Sequence, residues 1–222
     1  MKDKFAVIWD MDGTLVDTAE LHYRAWQELA RQIDKPFTRA DFAGTFGWRN
    51  PELIPRLFGE QYSVAEVEEL AHCKELLYRD KAKLGVALLP GAATLLAGLQ
   101  AAGFGQAIGS SAPRANLELI LEITGSTRSF QAIVAMEDTP RGKPDPEVFL
   151  LAARKLQVAP ERCLVFEDAP VGVQAAKAGG MRCIAVTFVG HHPRETLAAA
   201  GADRVVDSLE TVSPADVRRL LG

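Results

Sequence analysis

The chain has 222 residues, of which 48% are hydrophobic and 24% are charged, and its formal net charge at pH 7 is −4. This composition is typical of a globular protein with one α/β domain and an insertion, or with two modest domains. The negative charge and the lack of a basic stripe argue against nucleic acid as a partner. We expect no membrane partner either, because no apolar run is long enough to cross a bilayer. The three cysteines lack CxxC spacing and suit a reduced, cytoplasmic protein.

The first predicted element is a buried strand that ends in two acids. An apolar run up to Trp9 is followed by Asp10 and Asp12, and then by the turn residues Gly13 and Thr14. An uninterrupted apolar run is typical of a strand in a parallel sheet, and such sheets bind ligands at the carboxyl ends of their strands. Two carboxylates there attract a divalent cation, or raise one pKa so that one group is an acid and the other a base.

The next segment contains helical patterns and no convincing strand. Apolar residues recur at four-residue steps and predict one apolar helix face: Leu21, Ala25, Leu29 and Ile33. Further helices are predicted at residues 39–46, 51–58 and 63–84. We therefore predict an all-α domain at residues 17–85, inserted into a catalytic core that is formed by residues 1–16 and 86–222.

Strands and helices alternate along the second half of the chain. Strands are predicted at residues 105–109, 132–135, 163–166, 183–188 and 204–206. A helix follows each of them. This alternation indicates βαβ units, and hence an α/β fold with a doubly wound, Rossmann-like parallel sheet.

Polar side chains follow several of these strands. Ser110 and Ser111 come after the second predicted strand, Glu167 and Asp168 come after the fourth, and Lys143 lies in a loop between them. Carboxyl ends of parallel strands share one edge of a sheet, so these residues should meet the acids of the first strand. A carboxylate can attack phosphorus, Mg²⁺ can neutralise the charge between carboxylate and phosphate, and hydroxyl and ammonium groups can hold phosphate oxygens. The pattern favours phosphoryl transfer.

Together these segments resemble the four ordered motifs of the haloacid dehalogenase superfamily: Asp10-Met11-Asp12-Gly13-Thr14, the Ser110 segment, Lys143-Pro144 and Glu167-Asp168. The helical insertion directly after the first motif resembles the subclass with an α-helical cap. Residues 18–26 and 167–176 are similar to the first cap helix and the fourth motif of the β-phosphoglucomutase-like group of sugar phosphatases and mutases. The resemblance covers almost the whole chain.

The resemblance implies a role for each acid of the core. Asp10 would be the nucleophile that forms an aspartyl phosphate, and Asp12 would be the general acid and base. Mg²⁺ would be the cofactor, bound by Asp10, by the main-chain carbonyl of Asp12 and by Asp168, with Glu167 close by.

Phosphate and substrate contacts are implied in the same way. Ser110, Ser111 and Lys143 would hold the transferring phosphoryl group, and a cis peptide bond before Pro144 would aim the lysine. Closure of the cap would exclude bulk water. The cap residues that would face the substrate are His22, Trp26, Gly47, Trp48, Arg49, Asn50 and Lys74.

Several of these residues also have a purely structural alternative. Acids such as Glu167 and Asp168 are favoured where a helix begins. Ser110 could serve the helix that follows Pro113. Trp26 could be ordinary apolar core of the cap.

The sequence favours hydrolysis over intramolecular phosphate exchange. By the resemblance, a β-phosphoglucomutase holds a second phosphate with a cap arginine and a Ser-Lys pair. Asn50, Ala112 and Pro113 occupy those positions here, although Arg49 or Arg114 could compensate. Each hydrogen bond to a charged group contributes about 1.5–3 kcal/mol, so their loss is costly.

We therefore predict a Mg²⁺-dependent phosphatase, and we expect it to be a monomer. Its partner would be a small phosphorylated molecule, such as a sugar phosphate or a phosphoglycolate-like compound. The alternatives are a β-phosphoglucomutase, a haloacid dehalogenase and a non-catalytic binding module on the same fold.

Overall fold

A parallel sheet forms the centre of the computed structural model, which describes residues 4–43 and 48–222. Within those ranges the sheet has six strands: β1 (Ala6–Trp9), β2 (Gly105–Gly109), β3 (Ala132–Val134), β4 (Cys163–Glu167), β5 (Arg182–Val186) and β6 (Arg204–Val206). Their order across the sheet is β3-β2-β1-β4-β5-β6, and every neighbouring pair is parallel. The predicted doubly wound sheet is therefore confirmed. The strand order reverses at β1, and open sheets bind ligands beside such a reversal.

Helices occupy the first part of the long connection between β1 and β2. They are α1 (Ala19–Gln32), α2 (Arg39–Ala43), α3 (Asn50–Phe58) and α4 (Val64–Ala82), and we call residues 17–85 the helical insertion. Ser63 and Glu66 form a reciprocal capping box that starts α4. None of the helices in the described ranges combines the length and apolar character that a bilayer crossing requires.

The remaining helices pack on the two faces of the sheet. They are α5 (Ala92–Ala101), α6 (Arg114–Ile123), α7 (Glu147–Leu156), α8 (Pro170–Ala178), α9 (Arg194–Ala199) and α10 (Pro214–Leu221). Side chains alternate along β1, so that Val7 and Trp9 belong to an apolar cluster with residues of α5, α6 and α10. Ala6 and Ile8 belong to a second cluster with residues of α7, α8 and α9. Strand β1 is thus buried on both faces.

Trp9 ties β1 to both of its neighbours. Its ring stacks on Phe166 of β4, with centroids 4.3 Å apart and an angle of 10° between the planes. Its Nε1 donates to Oε1 of Gln106 in β2 over 3.1 Å. Burial of such a large side chain contributes roughly 1.5–3 kcal/mol, and aromatic pairing adds about 0.5–1.5 kcal/mol. The carboxyl ends of these strands are therefore held at fixed spacing.

The helical insertion has an apolar cluster of its own, to which Trp26, Leu29, Ile54 and Phe58 belong. Tyr78 in α4 belongs instead to the cluster on the face of the sheet that contains Val7 and Trp9. The insertion is thus partly separate from the sheet and partly fused to it at the end of α4. Its boundaries at residues 17 and 85 stay a prediction.

The cysteines carry no disulfide and serve packing. Cys163 and Cys183 are buried in β4 and β5, and Cys73 is half-buried. Burial raises the pKa of the Cys163 thiol to about 12, so this thiol remains protonated at neutral pH.

The close approach of α8 to β4 yields a stability prediction. A Cβ added at Gly172 would lie 1.7 Å from Oε1 of the buried Glu167. Alanine normally favours a helix over glycine by about 1 kcal/mol. Gly172→Ala should instead lower the free energy of unfolding, measured in urea, by at least about 2 kcal/mol, because the carboxylate has to move.

Gly179→Ala is the matched control for that substitution. Its added Cβ would meet its nearest neighbour at 3.4 Å, an ordinary contact, so the change should stay below about 1 kcal/mol. Equal effects of the two substitutions would contradict the close packing of α8 on Glu167.

Candidate active site

Asp10 lies at the point where the strand order reverses. It directly follows β1, and its N–H donates to the carbonyl of Phe166 over 3.0 Å, so the sheet fixes its main chain. Gly13 turns the chain with a φ of +84°. A Cβ at Gly13 would lie 2.0 Å from Oδ2 of Asp168. The turn therefore needs glycine both for its backbone conformation and for the space that the Asp168 carboxylate occupies.

Lys143 joins the ends of β1 and β4. Its Nζ donates to Oδ1 of Asp10 over 2.7 Å and to Oε1 of Glu167 over 2.6 Å, and the residue is only 3% exposed. Oε2 of Glu167 accepts the N–H groups of Asp168 and Ala169, each over 2.7 Å, at the start of α8. A helix N-terminus favours negative charge. Both oxygens of Glu167 are thus bound, and Lys143 holds Asp10 beside them.

The Lys143–Pro144 peptide bond is cis, as the resemblance implied.

Asp10, Glu167 and Asp168 form an acidic cluster that could hold a divalent cation. One oxygen from each carboxylate lies within 4.8 Å of the others. Burial raises the pKa of Asp10 to about 7, although Lys143 opposes the shift, and burial and the Glu167 charge raise the pKa of Asp168 well above its usual range. Oδ2 of Asp168 is buried and has no hydrogen-bond partner among the described residues. Hard cations take such oxygen ligands, so the residues fit the predicted Mg²⁺.

Ser110 and Ser111 stand at the end of β2. The N–H of Ser110 donates to the carbonyl of Val134 over 3.1 Å, and its Oγ accepts the N–H of Ala112 over 3.1 Å. No described residue accepts the hydroxyl proton of Ser110, so this proton can be donated to an anion.

Asp12 faces the helical insertion rather than the acidic cluster. Oδ1 of Asp12 accepts the Thr18 hydroxyl over 2.5 Å and lies 3.5 Å from Nε2 of His22. Removal from water would raise the pKa of Asp12, but His22 and Thr18 outweigh that effect and hold the pKa below its usual range. Asp10 and Asp12 therefore have different surroundings, and their pKa values are shifted in opposite directions.

Two residues of helix α4 contact the His22 ring. Nζ of Lys74 lies 2.7 Å from Nδ1 of His22, and the His22 ring stacks on Tyr78 with centroids 4.1 Å apart. Lys74 also donates to Oε1 of its neighbour Glu75 over 2.8 Å. A chain of polar contacts thus runs from Asp12 through His22 and Lys74 to Glu75.

Nearly all the predicted site residues line one small cleft of about 80 Å³ between the sheet edge and the helical insertion. The core contributes Asp10, Asp12, Ser110, Ser111, Lys143, Glu167 and Asp168. The insertion contributes His22, Trp26, Trp48, Asn50 and Lys74. The cleft suits a small molecule. Gly47 lies outside the described residues.

Arg49 does not line the cleft with the other predicted residues. Its guanidinium donates to the carbonyl and the hydroxyl of Thr139 over 3.0 and 2.6 Å, and to the carbonyl of Arg141 over 2.7 Å. It fastens the start of α3 to the loop before Lys143. Arg114 binds Asp138 over 2.5 Å. Neither guanidinium lines the cleft, so neither takes the place of the cap arginine that Asn50 replaces.

Glu75 lines the cleft, although it was absent from the predicted site. In the sequence it is one of several acids in a charged helix. Its position next to Lys74 was the one available signal.

Comparison with known proteins agrees with this geometry. The pattern of the haloacid dehalogenase-like hydrolases matches residues 6–180. A β-phosphoglucomutase of Bacillus subtilis (strain 168) is 38% identical over 188 residues, which are 82% of each chain. A phosphorylated carbohydrates phosphatase of Thermotoga maritima is 30% identical over 212 residues, or 94% of this chain and 96% of that protein. The crystal structure of a β-phosphoglucomutase from Clostridium difficile has a TM-score of 0.88 at 26% identity, covering 99% and 97% of the two chains.

The chain therefore belongs to the haloacid dehalogenase-like hydrolases. It is an enzyme of that family, related to β-phosphoglucomutase and to phosphatases of phosphorylated carbohydrates.

Binding of a divalent cation to the acidic cluster should stabilise the folded protein. At a hundredfold excess of cation over Kd the gain is about 2.7 kcal/mol, which for a chain of this size raises Tm by about 5–10 °C. Thermal unfolding with and without Mg²⁺ or Mn²⁺ measures this shift. Asp168→Asn should abolish the increase in Tm. Asp207→Asn removes an exposed acid outside the acidic cluster and should retain the increase. A full shift in the Asp168 variant would contradict the assigned cation site.

Proposed function

We propose that this protein is a Mg²⁺-dependent phosphatase of small phosphomonoesters, with sugar phosphates as its substrate class. The contacts of Lys143 carry the proposal. One buried ammonium holds Asp10 at 2.7 Å and Glu167 at 2.6 Å, beside Asp168 with its unpartnered oxygen. Phosphoryl transfer needs mainly positioning and electrostatic stabilisation, and this arrangement supports both.

In the first step, a carboxylate oxygen of Asp10 attacks phosphorus, and the bond from phosphorus to the substrate oxygen breaks. Lys143 holds the other oxygen of Asp10, and Ser110 and Ser111 bind phosphate oxygens. Asp10 and Asp168 would hold the Mg²⁺ ion, whose positive charge would reduce the repulsion between the carboxylate and the phosphate. The product is an aspartyl phosphate.

Proton transfer is the task of Asp12. The arriving phosphate is an anion, so it raises the pKa of Asp12 and favours a proton on this carboxyl. Asp12 donates that proton to the leaving oxygen. In the second step it takes a proton from water, the water oxygen bonds to phosphorus, and the bond to Asp10 breaks. Thr18 and His22 hold Oδ1 of Asp12, which leaves Oδ2 for these transfers.

The helical insertion acts as the cap in this proposal. His22 binds Asp12, and Arg49 binds the loop before Lys143, so the insertion contacts both sides of the core site. Docking of the insertion would then orient Asp12 and exclude bulk water from the phosphoryl group.

β-Phosphoglucomutase is the second candidate, because the Bacillus subtilis enzyme of that name is 38% identical. A mutase has to hold a second phosphate at the far end of the cleft. Two charged residues described on the insertion side of the cleft are Lys74 and Glu75. Nζ of Lys74 lies 2.8 Å from Oε1 of Glu75, so their charges neutralise each other. This balance supports hydrolysis over exchange.

Replacement of the nucleophile tests the reaction. Asp10→Asn should lower kcat for p-nitrophenyl phosphate by at least about 1,000-fold, since an amide does not attack phosphorus. Circular dichroism checks that the fold is intact. Asp80→Asn, an exposed acid in α4, is the control and should retain activity. Substantial turnover by the Asp10 variant would rule out this nucleophile.

Product analysis separates the two candidate activities. With β-glucose 1-phosphate and a trace of glucose 1,6-bisphosphate, a phosphatase releases glucose and inorganic phosphate in equal amounts. We expect this result, because the paired Lys74 and Glu75 on the insertion side of the cleft offer no net positive charge to a second phosphate. Rapid formation of glucose 6-phosphate with little free phosphate would instead identify a mutase.

A further inference from the structure

A carboxylate stands in the wall of a cleft that takes an anion. Glu75 lines the cleft from helix α4, on the side of the helical insertion, and is 5% exposed. The steps proposed above, which place the phosphoryl group at Asp10, give Glu75 no task. A buried acid is costly unless its charge is matched and its oxygens are bound, so its presence calls for a function.

Three neighbours keep Glu75 charged and fixed. Lys74 donates to Oε1 over 2.8 Å, Asn50 donates to the same oxygen, and Asn116 of helix α6 donates to Oε2. Burial would raise the pKa of Glu75, but Lys74, His22 and Asn116 together outweigh burial, so the pKa lies below its usual range. Glu75 is therefore an anion that is anchored to both the insertion and the core.

Arg79 fixes the orientation of the Asn116 amide. Its guanidinium donates to Oδ1 of Asn116 over 2.9 Å, which turns Nδ2 toward Glu75. An ionised carboxylate has about four acceptor positions. Lys74 and Asn50 take two positions on Oε1, and Asn116 takes one on Oε2. Among the described residues, no further donor takes the remaining acceptor position of Oε2, and Glu75 lines the cleft.

The charge balance at this wall disfavours a second anion. The Lys74 ammonium is neutralised by Glu75, and Asn50 brings an uncharged amide to the cleft. A hydroxyl group can donate to Glu75 and accept from an amide, whereas a phosphate dianion can only accept and carries like charge.

We propose that Glu75 is a specificity-determining residue: it binds a hydroxyl group at the far end of the substrate and rejects a second phosphate there. The inference rests on the proposed phosphatase function and names its substrate class more closely. Preferred substrates carry one phosphate and a polyhydroxyl tail.

The test compares two esters of the same sugar. Phosphate release from glucose 1-phosphate and from glucose 1,6-bisphosphate is measured for the wild type, and kcat/KM of the bisphosphate should be lower by about tenfold or more. Glu75→Gln removes the charge and keeps the size. It should raise the ratio of bisphosphate to monophosphate kcat/KM by at least about tenfold, mainly through a lower KM for the bisphosphate. Glu69→Gln, an exposed acid in the same helix, should leave the ratio unchanged.

A second variant guards against misfolding of the first. Asn50→Arg adds a cation beside Glu75 and should raise the same ratio by a similar factor. An unchanged ratio in a folded Glu75→Gln or Asn50→Arg enzyme would overturn the role of Glu75, as would a wild type that prefers the bisphosphate.

The proposed function fails in a different way. It would be overturned by a wild type that releases no phosphate from either ester or from p-nitrophenyl phosphate.

Discussion

The buried contact of Lys143 with Asp10 and Glu167 is the interaction on which the site depends. Removal of each of these charges from water costs several kcal/mol, and the cost is offset only when the geometry is good and the remaining oxygens are bound. The sheet provides that geometry, because Trp9 fixes β1 against β4 by stacking on Phe166. The main chain at the start of α8 binds the remaining oxygen of Glu167. The packing of the sheet and the start of α8 therefore determine where the charges of the site lie.

The same constraint explains how two acids of one short motif acquire different properties. Asp10 points to Lys143 and the acidic cluster, where burial raises its pKa. Asp12 points the other way, to Thr18 and His22, which lower its pKa. Because carboxyl groups with opposite shifts suit different tasks, a nucleophile and a proton carrier can stand two residues apart. The helical insertion supplies one of these two environments.

Much of the core could be predicted from the sequence, because its signals are local. Apolar runs located the strands, and Asp10, Ser110 and Asp168 stand out as polar residues where those runs end. The insertion was harder to interpret. The separation of Glu75 from its partner Asn116 by 41 residues hides their contact, and the direction of the Arg49 side chain depends on a loop 90 residues away. Long-range packing, rather than helical periodicity, decides which charges reach the cleft.

In the proposed reaction, Asp10 receives the phosphoryl group. The most direct test of this step is an acid quench of the enzyme during turnover of a phosphomonoester, followed by mass spectrometry of the peptide that contains Asp10. We expect a phosphoryl group on Asp10 that forms and is lost at least as fast as the enzyme turns over. A phosphoryl group on another residue, or rapid turnover with Asp10 unmodified at every quench time, would contradict it.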